Sequence, residues 1–266
     1  MRKVDINELR KIQIEILDIV SKYCEDNGIN YWIDNGTLLG AVRHKGYIPW
    51  DDDIDVGMLR EDYDKFTSSF NETNNRYKCC TMKNTFAFPM AHAKVMDTDT
   101  VLYEPTEKDG IKLSINIDIF VYDNAPSDPK LLAHMYDIRD ANRNWYGRRN
   151  WAIGLIGAGI KGYARLVISI VLKLVPRKVF IYKIQKDAQR YNKRETGYVG
   201  NFTSYTRMIC SKDVFKDFIY LEFEGKKYRA PIGYDEWLRA FYGNYLELPP
   251  VEERKSHHQF EAYVLE

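Results

Sequence analysis

A dense acidic run that merges into an alternating apolar pattern limits what this chain can fold into. The run Pro49-Trp50-Asp51-Asp52-Asp53-Ile54-Asp55 places four carboxylates within five residues. Ile54 and Val56 alternate with Asp53 and Asp55, which predicts a β-strand with one polar and one apolar face. A solvated acidic loop is the usual explanation of such a run, but the strand pattern favours a packed setting. Because packed carboxylates repel one another, we expect a bound cation to compensate for them.

A second alternating segment, Lys112 to Val121, supplies a further carboxylate, Asp118, on its polar side. Asp53 and Asp55 are two residues apart, so both side chains are expected on one face of the first strand. Carboxylate oxygens are hard ligands that favour Mg²⁺ or Mn²⁺. We therefore predict a metal site formed by Asp53, Asp55 and Asp118.

An EF-hand is the main alternative for this acidic spacing, since Asp51, Asp53 and Asp55 match its first three ligand positions. That loop requires glycine at its sixth position and glutamate at its twelfth. This chain has Val56 and Asp62 there. A calcium-binding module of this type is disfavoured.

A predicted strand, Ile29 to Asp34, runs into a Gly36-Thr37 turn and a small helical segment through Arg43. A strand followed by a tight turn and a helix start is a geometry that binds phosphate through backbone N–H groups. Gly36 and Thr37 are therefore candidate phosphate-binding residues. Arg43 could make a bidentate contact to a phosphate, or a surface ion pair.

Four further side chains are candidates for the same cleft. His44 could donate to a phosphate or move a proton, or be merely structural. Lys94 alternates on a predicted strand and could place its ammonium in the cleft or at the surface. Trp50 and Tyr47 flank the acidic run and could surround a quaternary ammonium group, or simply pack beneath the loop.

A transfer reaction at such a site needs a group that accepts the proton of the attacking hydroxyl. Asp118 is the best candidate, because it could contact both a metal and the hydroxyl. His257 and His258 are alternatives, either closing over the site or lying in a solvated tail.

Composition places the chain among folded proteins, at 266 residues with 45% hydrophobic and 14% aromatic residues. The net charge of +1 gives no global argument for nucleic acid. It conceals an asymmetry, because residues 141–195 hold thirteen Lys or Arg and two acids, a net charge of +11. The remainder therefore carries −10, and we expect an acidic body with a basic helical lobe.

Within the basic segment, residues 151–175 are apolar but interrupted by Lys161, Arg165 and Lys173. These charges disfavour a membrane-spanning helix. An in-plane membrane helix, a groove-lining helix and an ordinary helical subdomain remain open, and the charge favours peripheral contact with anionic lipid. No nucleic-acid-binding module is recognisable.

The remaining local signals predict ordinary elements. A helix starts at a capping box of Asp5 and Glu8, and Asn27-Gly28 ends it. Alternation around Glu224-Gly225 predicts a hairpin within 215–228, and 234–242 predicts a short helix. Four cysteines without CxxC spacing disfavour disulfides and zinc. Together with an N-terminus that lacks a secretory pattern, they predict reduced thiols in the cytoplasm.

The run GTLLGAVRHKGYIPWDDDIDVGM resembles the signature of the LicD family, within the nucleotidyltransferase fold superfamily that also includes fukutin and fukutin-related protein. The resemblance continues through AHAKVMDTDTVLYE, NIDIFVYDNAP and the tail from FEGKKYRAP to VEERKSHH, and is weakest in the basic segment. It implies an α+β nucleotidyltransferase (polymerase β-like) fold with a mixed sheet and a basic helical insertion lobe. The domains would be a catalytic core at 1–125, the lobe at 126–197, and a part completing the core at 198–266.

The resemblance also implies an activity: Mg²⁺-dependent transfer of phosphocholine, or a similar phospho-alcohol, from a CDP-alcohol to a sugar of a lipopolysaccharide or teichoic acid precursor. CDP-choline is the favoured donor, and fukutin-like relatives use CDP-ribitol. By this resemblance Asp53 and Asp55 are the metal-binding pair, Asp51 is a further metal ligand or a water-holding acid, and Asp118 is the third carboxylate. Two rivals remain: nucleotidyl transfer with attack on the α-phosphate of a nucleoside triphosphate, and a catalytically silent membrane- or glycan-binding accessory protein.

Overall fold

The computed structural model describes residues 1–86, 88–103, 113–149, 159–255 and 261–265, and shows an α+β protein built on a mixed sheet. Its helices are α1 Ile6–Asp26, α2 Asn35–His44, α3 Arg60–Thr73, α4 Pro129–Arg149, α5 Gly159–Lys173, α6 Arg177–Ala188 and α7 Tyr234–Tyr242. Its strands are β1 Arg2–Val4, β2 Trp32–Ile33, β3 Asp55–Leu59, β4 Tyr77–Cys80, β5 Ala93–Asp97, β6 Thr100–Tyr103, β7 Asn116–Ala125, β8 Tyr198–Gly200, β9 Ile209–Ser211, β10 Phe218–Phe223, β11 Lys226–Pro231 and β12 Glu261–Val264.

The main sheet has seven strands, in the order β2-β3-β7-β5-β4, with β8 and β9 added beside the second half of β7. Strands β3 and β7 are parallel, and the other pairs are antiparallel. The central strand β7 is ten residues long, so its first half pairs with β5 and its second half with β8. The segment after the basic helices therefore returns to the same sheet.

Strand β7 separates a core face from a polar face. Its isoleucines Ile117 and Ile119 are buried among the aliphatic and aromatic side chains between the sheet and α1, α2 and α3. On the opposite face lie Asn116, Asp118 and Phe120, of which the last two are half-buried. The alternation predicted from the sequence is thus present in the structure.

Several predicted boundaries were wrong. The first strand is only Trp32–Ile33. Ile29 lies three residues after the end of α1, and its N–H donates to the carbonyl oxygen of Cys24 in that helix. Residues Gly36 and Thr37 are not a turn but the second and third residues of α2. Strand β3 begins at Asp55, so Asp53 precedes the strand and does not share a strand face with Asp55.

Strand β7 starts four residues later than predicted and extends to Ala125, while Lys112 lies outside the described residues. The hairpin is shifted to 218–231, but its turn is at Glu224-Gly225 as predicted, and both residues have positive φ. Helix α7 has the predicted bounds. Helix α1 has the predicted cap, since Asp5 accepts a hydrogen bond from the Glu8 N–H.

The basic segment forms α4, α5 and α6, where α4 packs against both of the others. Small apolar clusters join it to the sheet, including Tyr136 against Phe202 and Ile184 against Ala91. The division into domains at 1–125, 126–197 and 198–266 stays a prediction. All four cysteines lie in the described residues and are free thiols, as predicted. Every helix of the described ranges is too short or too polar to traverse a bilayer.

Candidate functional site

The strand register aligns three charged side chains across the polar face of the main sheet. Asp118 of β7 is paired with Asp55 of the parallel strand β3 and with Lys94 of the antiparallel strand β5. Side chains at paired positions lie on the same face, so the two carboxylates and the ammonium form one row. The predicted proximity of Asp55 and Asp118 is therefore present.

The acidic loop before β3 gathers the other carboxylates. Asp51, Asp52 and Asp53 each offer an oxygen within 4.8 Å of the others. Asp52 was not predicted as a ligand, because an alternating strand pattern would have turned it away from its neighbours. The loop is not a strand at this point, which permits three consecutive carboxylates to converge.

Helix α1 holds this loop through two side chains that sequence reasoning missed. The Arg10 guanidinium donates to the carbonyl oxygens of Pro49 (3.1 Å) and Asp51 (2.5 Å). The Gln13 amide donates to Asp52 O at 3.0 Å and to Asn116 O at 3.3 Å. A glutamine at a buried position of an otherwise apolar helix face was the available signal, since buried polar groups need partners.

The N-terminus of α2 meets the acidic loop at Gly36. A Cβ at this position would lie 2.6 Å from the Asp51 carboxylate oxygen, so only glycine permits the approach. The side chain of the N-cap residue Asp34 makes no capping hydrogen bond to the first turn of α2. The preceding Asp34 instead accepts hydrogen bonds from Tyr122 Oη (2.6 Å) and Trp237 Nε1 (3.1 Å). The N-terminus of a helix favours negatively charged groups.

Thr37 has a different position from the one predicted for a phosphate-binding residue. It is buried, and its hydroxyl accepts a hydrogen bond from the Asp55 N–H at 2.9 Å. Thr37 thereby fixes the start of β3 relative to α2, and it does not line the cavity that the neighbouring Gly36 lines.

A cavity of about 1020 Å³ opens over the acidic loop and the first turn of α2. Asp51, Asp53 and Asp55 line one wall, together with Gly36. The opposite wall is the segment from Tyr242 to Lys255, which the sequence analysis did not assign to the site. This volume is at the upper end of the range of ligand cavities in proteins, roughly 300 to 1,000 Å³.

Arg43 joins the two walls. Its Nη1 donates to the carbonyl oxygens of Tyr245 (3.0 Å) and Glu247 (3.3 Å), and its Nε donates to His44 Nε2 at 2.9 Å. Arg43 itself lines the cavity, whereas His44 does not. Burial, followed by the positive charge of Arg43, lowers the pKa of His44, so its imidazole is neutral and accepts from Arg43. The geometry gives His44 a positioning contact rather than a place at the cavity wall.

The pKa values of the paired residues Asp55 and Asp118 are shifted in opposite directions. Burial raises the pKa of Asp55 well above its ordinary value, and the nearby carboxylates of Asp53 and Asp118 raise it further. Burial would also raise the pKa of Asp118, but Lys94 and His92 outweigh it and hold this pKa well below its ordinary value. The Lys94 ammonium lies 2.6 Å from Asp118 Oδ1. Asp118 does not line the cavity.

His92 is a residue of this polar face that the sequence analysis passed over. Its Nε2 lies 3.3 Å from Asp118 Oδ1, and its ring lies 4.7 Å from the ring of Phe120. Lys94 also donates to Asn116 Oδ1 at 2.9 Å. The two-residue spacing of His92 and Lys94 was the signal available, because both side chains fall on one face of an extended segment.

The two predicted aromatic candidates are in different places. Trp50 lines the cavity, whereas Tyr47 is buried beneath the loop, where its hydroxyl donates to Gln13 Oε1 at 2.9 Å. Tyr242, which was not predicted, also lines the cavity. Burial raises the pKa of Tyr242, and the nearby negative charge of Asp55 and Asp34 adds to the rise. His257 and His258 lie outside the described residues.

The donor set fits a hard divalent cation. Its side chains offer only carboxylate oxygens, and three of them converge in one loop, where they repel one another. Asp51, Asp53 and Asp55 share a cavity wall, so these are the residues that would hold Mg²⁺ or Mn²⁺. Asp118 lies on β7, the strand next to β3, and forms an ion pair with Lys94.

Fold and site together define an α+β protein with an acidic cavity at the meeting point of a strand, a loop and a helix N-terminus. Residues 28–139 match the family described as LicD/FKTN/FKRP, nucleotidyltransferase domain. The lipopolysaccharide cholinephosphotransferase LicD of Haemophilus influenzae is 34% identical over the full length of both chains. The chain belongs to the LicD family.

Two more distant relatives match over short segments of the chain. The ribitol-5-phosphate transferase FKTN of Mus musculus is 38% identical over 60 residues, which is 23% of this chain and 13% of that protein. The ribitol 5-phosphate transferase FKRP of Homo sapiens is 53% identical over 38 residues, 14% of this chain and 8% of that protein.

Replacing Gly36 with alanine is expected to lower catalytic efficiency at least tenfold and to weaken Mg²⁺ binding. The reason is steric, because the new Cβ would displace the Asp51 carboxylate. Steady-state kinetics and Mg²⁺ titration measure both effects. Gly147→Ala is the matched control, since nothing lies within 4 Å of the added Cβ in α4. Equal activity of the two variants would contradict the assigned role of Gly36.

Proposed function

We propose that this protein is a Mg²⁺-dependent phosphotransferase. It moves phosphocholine, or a similar phospho-alcohol, from a CDP-alcohol to a sugar hydroxyl of a cell-surface glycan precursor and releases CMP. The observation that carries this proposal is the contact between Gly36 and Asp51, which places a helix N-terminus against a carboxylate cluster on one cavity wall. Membership in the LicD family and the transferase activities named for its relatives support the same class of reaction.

Mg²⁺ or Mn²⁺ bound by Asp51, Asp53 and Asp55 would neutralise the negative charge of the donor diphosphate. The cavity has two further groups of favourable sign for that diphosphate. One is the N-terminus of α2 at Gly36, and the other is Arg43, which its contacts with the opposite wall hold in place. We assign donor phosphate binding to these groups, and a supporting role to Thr37 through Asp55.

In the proposed step, the acceptor hydroxyl oxygen attacks the phosphorus that carries the alcohol. A new oxygen–phosphorus bond forms, and the bond from that phosphorus to the CMP oxygen breaks, so CMP leaves with the electron pair. The hydroxyl proton passes to a carboxylate. Asp55 lines the cavity and Asp118 does not, so we propose that Asp55 accepts this proton.

Asp118 was predicted as the base, and its observed pairing changes the proposal. With Lys94 at 2.6 Å, the Asp118 carboxylate stays ionised and weakly basic. We propose that Asp118 acts through its neighbour Asp55. Its ionised carboxylate keeps constant the charge of the row that Asp55, Asp118 and Lys94 form across β3, β7 and β5. Lys94 then acts as the counter-ion of this row rather than as a ligand of the donor.

The lining of the cavity supports an alcohol that carries a positive charge. Trp50 and Tyr242 contribute aromatic faces, and Glu247, Glu252 and Glu253 add carboxylates on the opposite wall. Aromatic faces and acids together favour quaternary ammonium groups. Choline is therefore the favoured alcohol.

Tyr242→Leu is expected to raise the KM for CDP-choline about fivefold, since an exposed cation–π contact contributes about 1 kcal/mol. The KM for CDP-glycerol, whose alcohol is uncharged, should stay within twofold. Initial-rate measurements with both donors test this. Tyr220→Leu is the control, because Tyr220 is an exposed tyrosine on the separate β10–β11 hairpin. A parallel rise for both donors would show that Tyr242 has only a packing role.

The proposed function is tested by incubating the full chain with Mg²⁺, a glycan acceptor and one of four donors: CDP-choline, CDP-ribitol, CDP-glycerol or CTP. CMP release with transfer of the alcohol phosphate to the acceptor supports the proposal. Pyrophosphate release from CTP would favour nucleotidyl transfer. Absence of turnover with every donor, although Mg²⁺ still binds, would favour a silent accessory protein.

The fold and location complete the proposal. The mixed sheet with its paired aspartates supports a nucleotidyltransferase fold into which α4, α5 and α6 are inserted as a basic lobe. A CDP-alcohol donor is a cytoplasmic metabolite, and the four free thiols suit a reducing compartment, so we propose a cytoplasmic site of action. A lipid-linked glycan is the acceptor that suits a peripheral position on the membrane.

A further inference from the structure

Helix α5 turns its apolar side away from the protein. Its largest exposed side chains recur at helical spacing, and Ile160 and Leu174 at its two ends are 92% and 81% exposed. The stripe consists of Ile160, Tyr163, Val167, Ile170, Val171 and Leu174. At about 100° per residue these positions occupy one side of the helix. A helix of a water-soluble domain normally buries such a stripe.

The inward side of the same helix is made of small or short residues. Gly162 and Ser169 are the two buried positions of α5, and they lie seven residues apart on the side that packs against α4. The helix is therefore attached to the protein by its less apolar side. Rotating α5 so that the apolar stripe faced the core would break the contacts of Gly162 and Ser169. The stripe is therefore exposed because of the way this helix packs.

Positive charge borders the apolar stripe. Lys161 and Lys173 lie beyond its two edges, Arg165 lies on the far side of the helix, and α5 contains no acidic residue. Long basic side chains at the border of an apolar stripe reach the phosphate level of a bilayer while the stripe enters the acyl region. The surrounding segment 141–195 carries a net charge of +11.

A basic cavity lies just beyond the C-terminal end of α5. It has a volume of about 710 Å³ and is lined by Lys83, Arg149, Arg177 and Lys178. Pro176, two residues after Leu174, also lines it, so chain continuity places this cavity beside the end of the apolar stripe. Phe86 on its wall is 99% exposed. An anion-attracting cavity next to exposed apolar side chains is the arrangement expected at a lipid headgroup level.

We propose that α5 lies in the plane of an anionic lipid bilayer, with its apolar stripe inserted below the phosphates and the basic cavity at the headgroup level. The occupant is a bilayer rather than a second copy of this chain, because a copy would present the same excess of positive charge to this surface. The proposal does not depend on the reaction at the acidic cavity. Its consequence is that the full chain binds anionic membranes reversibly.

The test is co-sedimentation of the full chain with vesicles of phosphatidylcholine alone and with vesicles containing 30% phosphatidylglycerol, roughly the anionic content at which such attraction is strong. Wild-type protein should bind the anionic vesicles at least tenfold more tightly, and added salt should weaken that binding. Ile170→Glu/Leu174→Glu should reduce binding at least tenfold. The matched control, Ile6→Glu/Ile232→Glu, changes two other exposed isoleucines and should bind like wild type.

Further variants separate the electrostatic and the apolar contributions to membrane binding. Lys83→Gln/Lys178→Gln should reduce the preference for phosphatidylglycerol while leaving the apolar contribution. Val171→Trp should strengthen binding, and it keeps the test decisive if the glutamate variant fails to fold. Equal binding of all variants, no dependence on anionic lipid, or a wild-type dimer in light scattering that Ile170→Glu/Leu174→Glu dissociates would each overturn the proposal.

Discussion

Asp53→Asn is expected to reduce CMP release from a CDP-alcohol at least 1,000-fold, equivalent to about 4 kcal/mol of transition-state stabilisation. Asp53 lines the cavity and shares a carboxylate cluster with Asp51 and Asp52. An amide at this position would remove one of the negative charges of the proposed Mg²⁺ site. The free energy of unfolding should change by no more than about 1 kcal/mol, because the side chain is only half-buried and its loss relieves repulsion.

Three measurements establish this result together: CMP release, Mn²⁺ binding followed by electron paramagnetic resonance, and thermal unfolding with and without Mg²⁺. Asp137→Asn is the control, since it neutralises a 70% exposed aspartate on α4. In the control, Mg²⁺ should still raise the unfolding temperature, whereas in Asp53→Asn it should not. Retained turnover in a folded Asp53→Asn protein would refute the catalytic assignment.

The parts of the site that could be predicted from sequence are those encoded by local pattern. The alternation around Ile117 and Ile119 predicts a strand with Asp118 on its polar face, and the structure has that strand. The acidic run predicts a carboxylate cluster, which converges in the loop before β3. Short-range periodicity carries this information because it follows from the two-residue repeat of a strand.

The parts that could not be predicted depend on contacts between distant segments. Arg43 holds the segment after α7 through contacts with residues about 200 positions away, and no local pattern announces that the tail forms a cavity wall. The pairing of Lys94 with Asp118 needs the strand order β3-β7-β5, which a single sequence does not specify. The start of β3 depends on Thr37, whose hydroxyl accepts a hydrogen bond from the Asp55 N–H.

Exposure is a second property that the sequence could not supply. The apolar stripe of α5 has the helical repeat of a core-facing helix, and periodicity alone favours burial. The structure instead buries Gly162 and Ser169 and exposes Ile160 and Leu174. Which side of an amphipathic helix faces solvent is decided by the neighbours it packs against, here α4.

Lys94→Met is expected to destabilise the protein by about 3 kcal/mol, which is the lower end of the range for breaking a buried ion pair. The Asp118 carboxylate would remain 16% exposed beside Asp55 without its closest counter-ion. Asn116 would also lose the hydrogen bond from the Lys94 ammonium. Urea denaturation at neutral pH measures the change in the free energy of unfolding.

The double variant Lys94→Met/Asp118→Asn distinguishes a charge effect from lost packing. If the cost of Lys94→Met comes from an uncompensated carboxylate, removing that charge should restore at least half of the lost stability, although the double variant should remain inactive. Lys78→Met is the control, because Lys78 lies on strand β4 and pairs opposite Met96 without an adjacent carboxylate in the sheet register. A double variant as unstable as Lys94→Met would mean that the lysine stem, rather than its charge, supports the row of β3, β7 and β5, and the proposed role of Lys94 as a counter-ion would be wrong.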